Sequence, residues 1–227
     1  DLYKLPLQEK KDILCSCIYG IDIDIHAVEV AKFSLLIKLI EDETAPSVSE
    51  VVPILPDLGD NIQFGNSLVS QTELNGISGA NHQMMEIAPF DWSTINNGCG
   101  FDVIIGNPPY VNTEGMHALL PSAEVEIYKK KYKTSHKQFD KYFIFIEQAI
   151  NKINENGLVC YIVPNKFFKI GAGEKLRNLI AKERMLVSLD DFGDAQLFED
   201  KTIYSSIILL SKAKQTSFVY SSVDSAN

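Results

Sequence analysis

The alternation of apolar and polar residues along the chain predicts strands and helices that follow one another in turn. Short apolar runs typical of strands begin at Ile62 and lie at residues 18–22, 101–105, 158–163, 186–192, 203–211 and 217–220. Helical spacing predicts helices at 27–40, 141–154 and 173–182. Strands and helices alternate first, and a hairpin of 203–211 with 217–220 comes last. This order predicts an α/β fold with a doubly wound sheet and an antiparallel edge.

The apolar run at 101–105 is the most informative of the predicted strands. Val103, Ile104 and Ile105 are the β-branched residues expected in a parallel strand that is covered on both faces, and Gly106 ends the run. In doubly wound sheets the functional residues gather at the carboxyl ends of the strands. We therefore expect chemistry at the residues that follow Gly106.

Those residues are Asn107, Pro108, Pro109 and Tyr110. Each proline fixes its own φ and holds the preceding residue extended, so the oxygens of Asn107 and Pro108 are aimed in set directions beside one aromatic ring. Two acceptors suit the two hydrogens of an amino group on a flat ring, because they draw the nitrogen toward tetrahedral geometry and free its lone pair. The alternative is a Pro-Pro turn with a surface tyrosine.

The tetrapeptide Asn107-Pro108-Pro109-Tyr110 resembles the catalytic motif of S-adenosylmethionine-dependent amino-methyltransferases, both adenine-specific DNA methyltransferases and enzymes that methylate a glutamine of release factors. The segments at 128–133, 139–145 and 157–168 separate these groups. Together they resemble the methyltransferase part of type IIG-like restriction-modification enzymes, which combine cleavage and methylation in one polypeptide, and their phage-defence relatives. The similarity runs from about Tyr19 to Leu210.

The resemblance implies a class I methyltransferase fold that uses S-adenosylmethionine to methylate the exocyclic amine of an adenine flipped out of double-stranded DNA. It implies that Asn107 and Pro108 orient the amine, and that Tyr110 stacks on the base, a contact worth roughly 1–3 kcal/mol. Phe198 lies where relatives present a second aromatic ring to the flipped base. Alone, a phenylalanine before a strand is more often part of the core.

The cofactor residues implied by the resemblance lie mostly earlier in the chain. Asp22 ends the first predicted strand, where a carboxylate can accept hydrogen bonds from both ribose hydroxyls. Asp24 points to the same side, but capping of the following helix is its simpler role. Asn66 stands where many relatives carry an aspartate that contacts the cofactor's adenine. Phe145 aligns with an aromatic residue that packs on that adenine, and a place in a buried helix stripe is its alternative.

Composition and charge limit what this chain does alone. It has 227 residues, of which 45% are hydrophobic, and a net charge of −9, which argues against tight DNA binding by this part of a protein. The exception is the segment 129–137 with five lysines, either a solvated loop or a mobile loop that contacts phosphates. The scattered cysteines (Cys15, Cys17, Cys99 and Cys160) and the histidines match no metal site.

We expect a linker and helix remnant at 1–17, a partial catalytic domain at 18–220 with an insertion at 70–100, and a tail at 221–227. The family's glycine-rich cofactor loop should precede Tyr19 by a strand and a helix, some ~25–35 residues, and residues 1–17 contain no glycine. The chain is therefore expected to be an inactive piece of a larger protein. No secretory signal or apolar run of membrane-spanning length is present, so a cytoplasmic location is expected.

Two other functions stay open at the level of the sequence. A methyltransferase that acts on a protein glutamine or an RNA base uses the same chemistry, because the nitrogen of a side-chain amide is also planar. The lysine-rich segment and Phe198 favour DNA. A non-catalytic DNA-binding or assembly module is the second alternative, against which the intact residues 107–110 count.

Overall fold

The computed structural model describes residues 4–41, 43–44, 52–196 and 204–222. The chain forms two compact units, Asp1–Cys99 and Gly100–Asn227, which are described separately below. No helix of the described residues combines the length and the apolar character that crossing a membrane requires.

The first unit is built on a pair of parallel strands. Its main elements are α1 (Leu7–Cys17), β1 (Gly20–Asp22), α2 (Ile25–Ile40) and β2 (Ile62–Phe64). β1 pairs with β2 from Gly20 opposite Ile62 to Asp22 opposite Phe64. The core of this unit consists of buried aliphatic side chains from both helices, from β2 and from the turn before it: Leu7, Leu14, Val28, Leu39, Leu58 and Ile62.

The region predicted as an insertion forms short helices rather than strands. It contains α3 (Gln71–Asn75), α4 (Met84–Ile87) and single 3₁₀ turns. A capping box at Ser70 and Glu73 begins α3. Trp92 anchors the region, since its indole Nε1 donates to the Ser67 carbonyl oxygen at 3.2 Å and its ring packs edge-on against Phe90.

Within the described residues, the second unit has a mixed sheet of five strands. These are β3 (Phe101–Gly106), β4 (Ile153–Pro164), β5 (Leu186–Gln196), β6 (Tyr204–Ser211) and β7 (Val219–Ser222). Their order is β3-β4-β6-β5-β7. The β3–β4 and β5–β7 pairs are parallel, whereas β6 runs antiparallel to both β4 and β5. The predicted α/β fold with an antiparallel carboxyl-terminal part is confirmed.

The helices of the second unit are α5 (Thr113–Leu119), α6 (Ser122–Lys131), α7 (Lys141–Lys152) and α8 (Glu174–Lys182). α7 buries most of its length, including Tyr142, Phe143 and Ile146. Aromatic rings from α7 and from the turn after β4 pack edge-on, with Tyr142 and Phe143 against Phe167. This aromatic cluster lies beside the carboxyl end of β4.

Two sequence-based expectations are wrong. β3 is not covered on both faces, since Val103 and Ile105, which share one face of the strand, are 56% and 76% exposed. It also lies at the edge of the five-stranded sheet. The predicted hairpin of 203–211 with 217–220 is also wrong, since β7 pairs with β5. Both edges of β6 are already occupied by β4 and β5, so the last strand joins the sheet at its outer edge.

The turn after β4 is tied to α8 through Arg177 and Gly173. Nη1 of Arg177 donates to the carbonyl oxygens of Phe167 and Ile170 at 2.6 and 2.9 Å. A Cβ at Gly173 would lie 2.3 Å from the Phe167 carbonyl oxygen, whereas a Cβ at Gly171 meets none of the described atoms within 4 Å. Gly173 therefore permits a close approach that a side chain would prevent.

Gly173→Ala is expected to lower the free energy of unfolding by about 1–3 kcal/mol, because the turn must shift to accept the new methyl group. Gly171→Ala, the matched control two residues earlier, should change it by less than about 0.5 kcal/mol. Urea unfolding of both variants and of the unmodified chain measures the difference. Equal effects of the two substitutions would contradict the close approach at Gly173.

Candidate functional site

The end of β3 delivers Asn107 to the carboxyl edge of the five-stranded sheet. β3 pairs in parallel with β4 up to Gly106, which lies opposite Tyr161. A Cβ at Gly106 would lie 3.3 Å from the Tyr161 ring, a tight contact that favours glycine here. The next residue, Asn107, is exposed, while Pro108 is buried and fixes the direction in which the chain leaves the strand.

Tyr110 is held against the same edge by hydrogen bonds and a ring contact. Its hydroxyl lies within hydrogen-bond reach of two acceptors, Asn107 Oδ1 and, at 3.0 Å, the Ile162 carbonyl oxygen. Its ring packs edge-on against Tyr142 with 6.0 Å between centroids. Burial raises the pKa of Tyr110, so the group remains a neutral donor at physiological pH. The structure thus brings together Asn107, Pro108 and Tyr110.

The chain that follows Tyr110 is joined to the segment that begins α7. Asn112 and Asp140 form an antiparallel bridge, and the Lys141 amide donates to the Val111 carbonyl oxygen at 2.8 Å. The Thr113 hydroxyl donates to the Phe139 carbonyl oxygen at 2.8 Å. Residues 111–113 and 139–141 are therefore held together directly after the end of β3.

An ion pair at this edge was not predicted from the sequence. Lys166 Nζ lies 2.9 Å from Asp140 Oδ2, which is buried while the lysine is half-exposed. Asp140 precedes α7, where an aspartate usually caps the helix, yet its side chain makes no capping hydrogen bond. The two residues are 26 positions apart, so no short-range pattern reveals the pair.

In the first unit, Asp22 and Asp24 have separate roles. Asp24 is the N-cap of α2 and accepts a hydrogen bond from the His26 amide at 2.8 Å. Asp22 ends β1, is exposed, and accepts a hydrogen bond from the Asp24 amide at 2.8 Å through Oδ1. A carboxylate has about four acceptor positions, so this turn leaves Asp22 with capacity to accept donors from a ligand. The capping role predicted for Asp24 is confirmed.

Asn66 follows β2 in a tightly packed turn. Its side chain is buried, and Oδ1 accepts a hydrogen bond from the Leu68 amide at 3.1 Å. A Cβ at the preceding Gly65 would lie 2.9 Å from the Phe90 ring, so glycine is required for this packing. The structure therefore shows Asn66 as a residue that orders its own turn, and a contact with a cofactor stays a prediction.

Two aromatic residues of the predicted site differ in what the structure describes. Phe145 is half-buried on α7, although its neighbours Tyr142 and Ile146 are fully buried, so part of its ring stays accessible. Phe198 lies outside the described residues. β5 is described to its end at Gln196, and Nδ2 of Asn165 donates to two residues of its second half, to Asp191 Oδ1 at 2.8 Å and to the Gly193 carbonyl oxygen at 3.2 Å.

Comparison with known proteins gives a family match over most of the chain. A family model described as Eco57I restriction-modification methylase matches residues 16–198. The type II restriction enzyme and methyltransferase RM.Eco57I of Escherichia coli is 44% identical over 218 residues, which are 96% of this chain and 21% of that protein. The type II methyltransferase M.PaeR7I of Pseudomonas aeruginosa is 31% identical over 113 residues, 49% of this chain and 19% of that protein.

Among solved structures, two that contain DNA or a DNA mimic share the fold. The DrdV–DNA complex has a TM-score of 0.65 at 15% identity, with 96% of this chain and 22% of that chain covered. A nuclease-deletion mutant of the type ISP restriction-modification enzyme LlaGI, in complex with a DNA substrate mimic, has a TM-score of 0.61 at 14% identity, with 96% and 19% covered. This chain thus spans about a fifth of the length of these relatives.

Proposed function

The chain belongs to the Eco57I restriction-modification methylase family, and from this premise we propose that it is the catalytic region of an adenine-specific DNA methyltransferase. It transfers a methyl group from S-adenosylmethionine to the exocyclic amino nitrogen of an adenine flipped out of double-stranded DNA. The region occupies residues 18–220, with residues 70–100 as an insertion, and works in the bacterial cytoplasm within a larger restriction-modification protein.

The observation that carries this proposal is the placement of Asn107 and Tyr110 at the end of β3. The amide oxygen of Asn107 is at the exposed carboxyl edge of the sheet, and it already accepts a hydrogen bond from a hydroxyl donor, Tyr110. An acceptor that serves a hydroxyl also serves an amino group. The carbonyl oxygen of Pro108 is the second acceptor in this proposal.

The reaction needs little from the protein beyond orientation. When bound, S-adenosylmethionine supplies an electrophilic methyl group on a sulfonium that is a good leaving group. Asn107 and Pro108 would hold the amine by accepting its two hydrogens, which leaves the nitrogen lone pair available for attack. With the cofactor bound, the nitrogen would take the methyl group as the sulfonium leaves as a thioether, and the extra proton on nitrogen would pass to solvent. Orientation of this kind supplies much of the rate of enzymatic reactions.

The rings proposed to hold the adenine are Tyr110 and Phe198. Contacts with Asn107 and Tyr142 restrict the Tyr110 ring before a base arrives, so less conformational freedom is lost on stacking. Stacking of a base on an aromatic side chain contributes roughly 1–3 kcal/mol, comparable to the few kcal/mol needed to unstack it from a duplex. The DNA in the DrdV and LlaGI structures supports a DNA substrate for this chain.

The residues proposed for the cofactor fit its chemistry. Asp22 is an exposed carboxylate at the carboxyl end of a parallel strand, where ribose hydroxyls can donate to it. Asn66 is buried and its Oδ1 accepts from the Leu68 amide, so in this proposal an adenine amino group donates to the second acceptor position of that oxygen. Phe145, which is half-buried, is the residue proposed to pack on the adenine.

Asn107→Ala, in the full-length gene product, is expected to reduce methyl transfer by at least about 100-fold while cofactor affinity stays within a few-fold, because the affected interaction is made mainly in the transition state. Incorporation of labelled methyl groups into DNA, with mass analysis of the modified base, measures the effect. Asn178→Ala, which changes an exposed asparagine of α8, is the control and should retain full activity. Normal turnover of the Asn107 variant would overturn this mechanism. Methyl groups found on cytosine, RNA or protein would show that the substrate is not adenine in DNA.

Asp22→Ala, in the same protein, is expected to weaken S-adenosylmethionine binding by about 1–3 kcal/mol, since charge-assisted hydrogen bonds to the ribose can no longer form. Asp24→Asn is the matched control, because asparagine caps helices as well as aspartate does. Calorimetric titration with the cofactor measures both. Unchanged affinity of Asp22→Ala together with reduced affinity of Asp24→Asn would transfer the role to Asp24.

We further infer that the 227 residues alone bind the cofactor weakly and do not methylate DNA. Among the described strands, β1 pairs with β2 alone and β3 with β4 alone, so each leaves an open edge. Calorimetry of the isolated chain should show no micromolar binding, whereas a product of the same gene extended upstream by one βα unit, roughly 30 residues, should bind. Micromolar binding by the isolated chain would contradict this inference.

A further inference from the structure

The second unit carries a basic segment in an otherwise acidic chain. The chain has a net charge of −9, yet residues 127–139 contain five lysines and no acidic residue. The lysines occupy two different kinds of structure. Lys129, Lys130 and Lys131 form the last turn of α6, whereas Lys133 and Lys137 lie in the turn that leads to α7.

The lysines of the helix already have partners. Lys130 forms an ion pair with Glu126 at 2.6 Å, and Lys131 Nζ lies 5.0 Å from the centre of the Tyr132 ring. Lys129 Nζ lies 3.1 Å from Nε2 of His117. Lys133 and Lys137, by contrast, are exposed and are in no ion pair with any acidic residue of the described part of the chain.

A buried carboxylate binds the backbone of the turn that carries Lys133 and Lys137. Glu147 of α7 is 6% exposed, and its two oxygens accept hydrogen bonds from the backbone amides of Lys133 at 3.0 Å and Thr134 at 2.8 Å. Next to it, the Tyr132 hydroxyl donates to Gln148 Oε1 at 3.2 Å. A buried carboxylate without a hydrogen-bond partner is costly, so Glu147 holds this backbone in place.

The backbone of the turn is itself constrained. The Ser135 hydroxyl donates to the Tyr132 carbonyl oxygen at 2.5 Å, and the His136 amide donates to that of Thr134 at 2.9 Å. Lys137 has a φ of 56°, in the left-handed region that residues with a side chain rarely adopt. Such a conformation persists where the surrounding structure determines it, and it is found frequently at functional sites.

The turn is also attached to the proposed catalytic edge. Its far end, residues 139–141, pairs with residues 111–113 directly after Tyr110. Lys166, at the end of β4, reaches the same place through its ion pair with Asp140. Lys133 and Lys137 therefore lie in a segment whose far end is hydrogen-bonded to the residues directly after Tyr110, the ring proposed to hold the flipped adenine.

We propose that Lys133 and Lys137 bind phosphates of the DNA strand that flanks the target adenine, and that Glu147 is a positioning residue that presents them. This rests on the proposed DNA methyltransferase function. The two lysines supply positive charge where the rest of the chain repels DNA. Phosphate contacts fix the register and orientation of a protein on DNA without reading its sequence.

The experiment uses the full-length gene product and measures the Kd for duplex DNA across a series of salt concentrations. Lys133→Ala/Lys137→Ala is expected to reduce the slope of log K against log salt by about 2, since each lysine that neutralises a phosphate adds about one unit to that slope. Affinity at about 50 mM salt should fall by ~10-fold or more, and equally for DNA with and without the recognition site. Lys175→Ala/Lys182→Ala removes two exposed lysines of α8 and is the matched control, for which the slope should not change.

The substitution Glu147→Gln distinguishes two effects on DNA binding, the loss of a negative charge and the loss of the hydrogen bonds that position the turn. Removal of a negative charge by itself strengthens DNA binding, whereas removal of the anchor releases the turn and weakens binding, by about three-fold or more in our proposal. On the Lys133→Ala/Lys137→Ala background the same substitution should no longer weaken DNA binding, because only the charge effect remains, whereas a purely structural role would lower affinity in both backgrounds.

The outcomes distinguish this inference from the function on which it rests. If the wild-type protein methylates adenine and the lysine double variant keeps the wild-type salt slope, the phosphate contacts are refuted while the function stands. If Glu147→Gln binds DNA as well as wild type or better, its positioning role is refuted. If the wild-type protein methylates no DNA, the proposed function itself fails.

Discussion

The parallel pairing of β3 with β4 is the constraint on which the proposed catalytic edge depends. It ends at Gly106 opposite Tyr161, where a Cβ would make a tight contact of 3.3 Å with the tyrosine ring. The end of this pairing therefore fixes the position of Asn107 relative to the sheet. Burial raises the pKa of Tyr161 to about 12, so this neighbour stays neutral over the physiological range and adds no charge to the edge.

The pairing of β3 with β4 also places a hydrogen-bond acceptor for Tyr110 at the carboxyl edge of the sheet. Ile162 lies on β4 one residue after Tyr161, and its carbonyl oxygen is one of the two acceptors within reach of the Tyr110 hydroxyl. The Tyr110 hydroxyl has a single proton, and this proton is shared between the Ile162 carbonyl oxygen and Asn107 Oδ1. An amine that binds Asn107 Oδ1 can therefore displace the hydroxyl toward Ile162 without leaving its proton unsatisfied, which lowers the cost of opening the site.

How much of this was predictable depends on the distance over which each interaction acts. α2 and its cap at Asp24 were predicted, because helical spacing and capping are encoded within a few residues. The partner of β7 was predicted wrongly as the strand at 203–211, because the pairing depends on which edges of β6 are taken by strands from elsewhere in the chain. The lysine-rich segment was predicted as a loop, although three of its lysines belong to α6 and its turn is anchored by Glu147.

Glu147 shows why the site could not be completed from the sequence. It belongs to a helix whose other residues are mostly apolar and buried, and nothing in the spacing of α7 distinguishes a carboxylate that faces backbone amides from one that faces solvent. The amides that it binds are 13 and 14 residues earlier, beyond the range of helix or turn patterns. In the proposal above, this buried acid positions two surface lysines, and its own charge is stabilised by hydrogen bonds from backbone amides rather than by an ion pair with those lysines. The side chains of Lys133 and Lys137 therefore remain available to pair with the negative charge of a ligand.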